Sequence, residues 1–310
     1  MKHLPLLLVL ALVGAGCATA PVPPPEDSYR DPVLVQYDGS ARAALADQNY
    51  ERAARFYEQA LIRARTADLG FEVAKAAYNR GACLILLKRP APARAALQEA
   101  SAEFARLRRD PSPAWLLEAR AARMMGEAAV TAELVERVLA EGRDGDVRLQ
   151  AWLLKGSLAA EAGRAEDARK ALAEARRLLH NDPALRAGVA ALTGQLNLID
   201  KRPADAGLQF DKEAAFMQRA ARWPDMADAL RRAGDAYRQA EQPGPAAARY
   251  YRSARSLYGQ GQWVPALQAM ELAVDAAAKA GDDVLAADAR RLLEEIRQAV
   301  GVAKAGQSVE

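Results

Sequence analysis

The chain has 310 residues, of which 51% are hydrophobic and 27% are charged, and its formal net charge is +3. This length and apolar content suffice to bury a core. Basic residues such as Arg52 and Arg55 are interleaved with acidic residues such as Glu51 and Glu58, which is typical of a solvated helical surface and excludes a basic nucleic-acid-binding stripe. Alanine, leucine, arginine and glutamate dominate, and because these residues favour helix, the composition predicts an all-α fold.

The first residues have the pattern of a secretory signal. A basic start precedes an apolar run over residues 4–16, which is too short to cross a bilayer. Residues 13–17 resemble the lipobox of bacterial lipoproteins, with Gly14 at the place where leucine is usual. The resemblance implies that residues 1–16 are a signal peptide and that Cys17 is acylated after cleavage, with palmitate or a similar chain. The alternative is an ordinary cysteine that follows a signal peptide.

The segment after the cysteine predicts a tether. Residues 17–36 are rich in proline, which favours an extended, semi-rigid spacer. Acylation of Cys17 with two or more chains would anchor the protein stably to a membrane. Ala18 follows the cysteine where aspartate would be a retention signal, so the resemblance to Gram-negative lipoproteins implies the outer membrane, facing the periplasm. The other cysteine, Cys83, lies in an apolar run and is predicted to be a core residue.

Beyond the tether, the chain repeats itself. Small residues recur at intervals of 40, 38, 37, 38 and 40, at Ala41, Gly81, Ala119, Gly156, Gly194 and Gly234. Twelve positions after each stand Ala53, Ala93, Thr131, Ala168, Ala206 and Ala246. Four positions further on are the larger Tyr57, Leu97, Val135, Leu172, Phe210 and Tyr250. Three positions beyond those are Ala60, Ala100, Val138, Ala175, Glu213 and Ser253. Constant offsets within a varying period predict pairs of helices separated by short breakers and stacked into an array.

This unit resembles the tetratricopeptide repeat (TPR). One copy matches its pattern at Trp152, Gly156, Ala159, Ala168, Leu172, Ala175 and Pro183. Thr131 and Glu213 depart from it, since both stand where alanine is usual. The period also exceeds the standard 34, which implies longer helices or longer connections. The resemblance implies a right-handed α-solenoid of about six to seven helix pairs over residues 37–300, with a flexible tail at 301–310.

The sequence offers no catalytic constellation. His180 is the single histidine after the predicted signal peptide, so neither a Ser-His-Asp nor a Cys-His arrangement can be assembled. No cysteine and histidine cluster has metal-ligand spacing. Adjacent carboxylates such as Glu294 and Glu295 point about 100° apart on a helix and do not converge. We therefore expect no enzymatic activity, no cofactor, no metal and no small-molecule substrate.

The predicted binding surface is the concave groove that the first helix of each TPR pair lines. The resemblance implies that partner-binding residues are those next to the small positions and one turn away: Tyr78, Asn79, Arg120, Arg123, Ser157, Gln195, Arg231, Asp235 and Arg238. Such a mixture of charged, amide and apolar groups suits an extended or helical polypeptide segment. The alternative for each residue is an ordinary exposed or interhelix contact.

Together these patterns predict an outer-membrane-anchored periplasmic TPR lipoprotein. Its expected function is that of a protein–protein interaction scaffold or adapter in an envelope complex for secretion, pilus formation or outer-membrane assembly. Its expected partners are other proteins or peptide segments, and not nucleic acid. Two alternatives stay open. One is a cell-wall enzyme built on a helical solenoid, with an acid/base pair assembled across repeats, and the other is a purely architectural role in oligomers.

Overall fold

The computed structural model describes the backbone of residues 31–307 and the side chains of residues 31–301. The predicted signal peptide, Cys17 and most of the predicted tether lie outside the described residues. Within residues 31–307 the structure consists of α-helices joined by short connections and contains no strand. This confirms the predicted all-α class. None of the described helices combines the length and the apolar character that crossing a membrane requires.

Fourteen helices make up the part of the chain that the structure describes. They are α1 (Pro32–Ala46), α2 (Tyr50–Thr66), α3 (Gly70–Leu86), α4 (Pro90–Arg106), α5 (Ser112–Met124), α6 (Ala128–Glu141), α7 (Gly145–Glu161), α8 (Ala165–Leu178), α9 (Pro183–Ile199), α10 (Pro203–Arg219), α11 (Trp223–Gln239), α12 (Pro243–Gly259), α13 (Trp263–Ala280) and α14 (Asp283–Gln307). In chain order they form seven successive pairs, as the repeats predicted.

The period beyond 34 residues comes from long helices and not from long connections. Eight helices have 17 residues each. Connections such as 47–49 have only three residues, and their central residue is left-handed, as Gln48 is with φ 58°. The N–H of Asn49 donates to the carbonyl of Ala44 at 2.8 Å, which closes the end of α1 as in a Schellman motif. A helix of 17 residues and a turn of three thus take 20 residues, and two such helices take 40, whereas helices of 13 or 14 residues such as α5 and α6 shorten the period.

Prolines begin several helices instead of breaking them. Pro32, Pro90, Pro183, Pro203 and Pro243 are each the first residue of a helix. Proline suits this position because its fixed φ is already helical and the first N–H of a helix has no partner within it. Residues 242–245, which contain two prolines and a glycine, thus form the N-cap and the first turn of α12.

Both predicted ends of the repeat domain are corrected. Helix α1 begins at Pro32, five residues before the predicted boundary at 37, because the Asp31 carboxylate caps it by accepting the N–H groups of Val33 at 2.9 Å and Leu34 at 3.3 Å. At the other end, α14 continues to Gln307, so the predicted tail at 301–310 begins inside a helix. Alanines and other good helix formers near that end favour the continuation.

Two compact units divide the chain. Unit 1 comprises the described residues of Met1–Leu158 with Ala173–Leu178, and unit 2 those of Ala159–Leu172 with Leu179–Glu310. Each has its own buried apolar clusters. One in unit 1 is formed by residues that include Leu61, Leu97 and Leu117, and the main one in unit 2 includes Tyr250 and Ile296.

The repeat register defines the cores of both units. The alanines and Thr131 of the second set of positions are fully buried, and the large residues of the third set are buried beside them. The small first positions are contact points, since a Cβ added at Gly81 would lie 2.6 Å from Cγ of Leu97 and one added at Gly194 would lie 2.6 Å from Cε1 of Phe210. The spacing of 16 residues read from the sequence is thus a helix–helix contact within a pair.

Candidate functional site

Three of the predicted groove residues converge on one cavity within unit 2. Gln195 on α9 and Asp235 and Arg238 on α11 line a cavity of about 520 Å³. The other lining residues come from α9, α10 and α11 and are Leu198, Phe210, Arg232, Ala236 and Gln239. Two first helices of consecutive pairs therefore form its sides, and α10 contributes an aromatic ring between them.

Asp235 is held in place by three donors. The buried hydroxyl of Tyr250 donates to its Oδ1 at 2.8 Å. Arg231 Nη1 lies 2.9 Å from Oδ2, and Arg238 Nη2 lies 3.5 Å from Oδ1. Burial and the hydrogen bond to Asp235 raise the pKa of Tyr250 above its usual value, so this hydroxyl stays protonated and continues to donate. Asp235 thus holds Arg231 and Arg238, of which Arg238 lines the cavity.

Arg232 joins the cavity to a buried acid. Its Nη2 lies 2.6 Å from Oε1 of Glu213, and its Nε lies 3.0 Å from Oδ2 of Asp228. Its guanidinium carbon lies 4.9 Å from the ring centroid of Phe210, over a face that attracts cations. Burial raises the pKa of Glu213 to about 7 in spite of the opposing attraction of Arg232.

Gln195 and three apolar residues also line the cavity. Oε1 of Gln195 is buried and accepts no hydrogen bond from the described part of the chain. Below it, Leu198, Phe210 and Ala236 supply apolar surface. An unpartnered buried acceptor costs free energy, and the apolar side chains suit the apolar part of a ligand.

The predicted groove residues of unit 1 pair with one another across two first helices. Arg123 Nη2 on α5 lies 3.1 Å from Oγ of Ser157 on α7. One turn earlier, Arg120 Nη2 donates to Oε1 of Gln150 at 2.7 Å. These residues are half-buried or more, and they form a polar seam between α5 and α7.

Two predicted groove residues are corrected by the structure. Tyr78 and Asn79 on α3 are only 8% and 9% exposed. Tyr78 belongs to the core of unit 1, where its ring meets that of Phe104 edge-on, with centroids 6.5 Å apart. A large aromatic side chain that can reach an apolar neighbour gains more free energy in the core than at a groove surface.

Sequence reasoning missed the members of the site that lie away from the first helices or on their flanks. These are Phe210, Glu213, Asp228 and Arg232. A signal existed for Glu213, because it occupies a register position where the other copies have alanine, valine or serine and where every member is buried. A carboxyl group at such a position needs a cationic partner.

The titratable groups around the cavity do not form a metal site. Within the described residues, no group of three or more histidine, cysteine, aspartate or glutamate side chains is arranged to hold a metal ion. The charged groups of the cavity instead form alternating pairs of arginine and carboxylate. Such an arrangement can bind polar and anionic groups by hydrogen bonds and charge.

Comparisons with known proteins give the fold. No model of a protein family matches the sequence, and neither does the sequence of any curated protein. The apo form of the quorum sensor NprR from B. thuringiensis is similar over 85% of this chain and 76% of its own, with a TM-score of 0.62 and 13% identity. The apo form of RapI is similar over 86% of this chain and 98% of its own, with a TM-score of 0.57 and 12% identity.

A tetratricopeptide repeat protein from Parabacteroides merdae ATCC 43184 is also similar, over 86% of this chain and 100% of its own, with a TM-score of 0.48 and 10% identity. The helix pairs themselves carry the repeat register, with small residues packed against large ones 16 positions later. With seven successive helix pairs and structural similarity to NprR and RapI, the chain has a TPR-like all-α repeat fold.

Proposed function

We propose that the protein is a polypeptide-binding adapter and that the cavity between α9 and α11 holds a segment of its partner. The observation that carries this proposal is the convergence of Gln195, Asp235 and Arg238 on one cavity with an apolar floor. Its volume of about 520 Å³ lies in the range of known ligand pockets and accommodates a few side chains of a bound segment.

The chemistry of the cavity favours binding over catalysis. A glycosidase-like mechanism needs two carboxyl groups on either side of the scissile bond. Asp235 is the single carboxylate among the residues that line the cavity, and it is occupied by Tyr250, Arg231 and Arg238. The lining therefore favours an adapter over the cell-wall enzyme that the sequence left open.

We further propose that this adapter is anchored to the outer membrane through lipid on Cys17 and acts in the periplasm, in an envelope complex for secretion, pilus formation or outer-membrane assembly. The lipobox-like residues 13–17 and Ala18 after the cysteine support this location. Cells fed radioactive palmitate should label the wild-type chain, and Cys17→Ser should abolish the label. Ala18→Asp should keep the label but move the protein to the inner-membrane fraction, and an unlabelled wild-type chain would exclude the anchor.

Site-directed crosslinking tests the binding function. A photoreactive amino acid at Arg238, on the rim of the cavity, should capture a partner in cells, and mass spectrometry of the adduct should identify it. Arg291 on α14 is the matched control because it is an exposed arginine paired with Asp288 outside the cavity. With the purified partner, Arg238→Glu should weaken binding more than tenfold, since it replaces an attraction by a repulsion, whereas Arg291→Glu should not. Equal affinity of both variants would reject the cavity as the binding site.

A further inference from the structure

Glu213 is a buried acid that is connected to the cavity through its ion pair with Arg232. Its side chain is 5% exposed, and its Oε1 is bonded to Arg232. Its Oε2 is buried and has no partner in the described part of the chain. An ionised carboxylate normally uses both oxygens, so this environment satisfies the charged form only in part.

Arg232 makes the charge of Glu213 relevant to the cavity. The same guanidinium contacts Glu213, Asp228 and the ring of Phe210, and it lines the cavity itself. When Glu213 is ionised, two carboxylates compensate Arg232. When Glu213 is neutral, Asp228 alone compensates it, and Asp228 is shared with Arg231. Proton uptake at Glu213 therefore adds one positive charge to the surroundings of the cavity.

The other charged groups near Glu213 do not change this compensation of the Arg232 charge. On α11 the facing groups are Arg232, Asp228 and Asp225, and both aspartates disfavour the ionised form of Glu213. Helix α9 has one charged residue, Arg186, whose guanidinium carbon lies 6.0 Å from the ring centroid of Phe216. On α10 itself, Asp211 is bonded to Tyr237 and Arg249.

We propose that the cavity binds a partner segment in which an apolar side chain stands next to a carboxylate, and that protonation of Glu213 strengthens this binding. The apolar side chain would rest on Leu198, Phe210 and Ala236, and the carboxylate would face Arg232 and Arg238. The proposal rests on the proposed function, since it concerns the same cavity. It adds the chemistry of the occupant and a dependence on pH near neutrality, where burial places the pKa of Glu213 at about 7.

A pair of dyes separates the charge effect from the cavity itself. 8-Anilinonaphthalene-1-sulfonate (ANS) joins an apolar ring system to a sulfonate that stays ionised, and N-phenyl-1-naphthylamine (NPN) has the same rings without the charge. With the purified full-length chain, we expect ANS affinity measured by fluorescence to rise about tenfold from pH 8 to pH 6. NPN affinity should stay constant over that range.

Substitution of Glu213 tests its part in the effect. Glu213→Gln keeps the shape and removes the titration, so ANS should bind this variant equally at both pH values, with the affinity that the wild type has at pH 6. Glu271→Gln is the matched control, because Glu271 is a half-exposed carboxylate of unit 2 outside the cavity lining, and it should behave as the wild type. If Glu213→Gln folds poorly in a thermal melt, Glu213→Ala replaces it, since alanine occupies the same register position at Ala60, Ala100 and Ala175.

The outcomes distinguish the two proposals. If neither dye binds, the cavity is not a binding site and the proposed function fails with it. If both dyes bind without pH dependence, the cavity remains the proposed binding site and the role of Glu213 is rejected. A pH-dependent ANS affinity that persists in Glu213→Gln would also reject it.

Discussion

Gly234 on α11 packs directly against the ring of Tyr250 on α12, so that a Cβ added at Gly234 would lie 2.6 Å from Cε1 of Tyr250. Tyr250 is fully buried and its hydroxyl holds Asp235, so the ring has little room to move away. We expect Gly234→Ala to lower the free energy of unfolding by about 1–3 kcal/mol, the usual cost of overpacking. Urea denaturation measures it.

Gly39 provides the matched control for this substitution. It lies in the middle of α1 with no atom within 4 Å of an added Cβ. Because alanine is the better helix former, Gly39→Ala should raise the free energy of unfolding by up to about 1 kcal/mol. Stabilisation by both substitutions would contradict the close contact between Gly234 and Tyr250.

The left-handed turns predict a second pair of opposite effects. Ala221 connects α10 to α11 with φ 53°, a conformation that strains a residue with a Cβ. Ala221→Gly should therefore raise the free energy of unfolding by about 1 kcal/mol. Ala215→Gly, at an exposed position within α10, should lower it by a similar amount because glycine weakens a helix. Destabilisation by both in urea denaturation would contradict the strain at Ala221.

The register of small and large residues made the helix pairs predictable from the sequence. The pairs from Gly81 to Leu97 and from Gly194 to Phe210 are contacts because a fixed offset reflects a fixed geometry between two helices. The orientation of single side chains was less predictable. The resemblance implies that Tyr78 is a groove residue, but its ring packs against Phe104, which no spacing rule encodes.

The sequence predicted the residues of the site that lie beside the small positions of the first helices, α9 and α11. It did not predict the contacts that the second helix, α10, makes with α11. Gln195, Asp235 and Arg238 follow from their place beside the small residues of α9 and α11. The pairing of Glu213 with Arg232 joins α10 to α11 and depends on the rotation of both helices. The start of α1 at Pro32 depended on a capping hydrogen bond of Asp31 that a proline-rich composition concealed.

Glu213 should make the stability of the protein depend on pH. Its pKa in the folded state, about 7, lies above the ordinary value of 4.5, so the folded chain binds the proton more tightly than the unfolded chain. This contribution to stability is complete below about pH 4.5 and is lost as pH rises through 7. The wild type should therefore lose at most about 3 kcal/mol through this group between these limits. Glu213→Gln should lose less over the same range.

Urea denaturation of the wild type and Glu213→Gln at several pH values between 4.5 and 8 measures this difference. The gap between the two free energies of unfolding should change in favour of the variant as pH rises, because the variant buries no charge at position 213. Glu271→Gln serves as the control for a substitution at an exposed carboxylate. A constant gap for Glu213→Gln would mean that its carboxyl group titrates alike in the folded and unfolded chains.

Substitutions of Asp235 and Arg238 should differ in their effects on stability and on binding, although both residues line the cavity. Asp235→Ala leaves the hydroxyl of Tyr250 buried without its acceptor, so it should lower the free energy of unfolding by about 1–3 kcal/mol. Arg238 is more than half exposed and 3.5 Å from Asp235, so Arg238→Ala should change stability by less than about 0.5 kcal/mol. In ANS titrations at pH 6, however, Arg238→Ala should weaken binding, because it removes a cation of the rim while the apolar floor remains. Unchanged ANS affinity in a folded Arg238→Ala protein would show that the rim charge does not contribute to recognition.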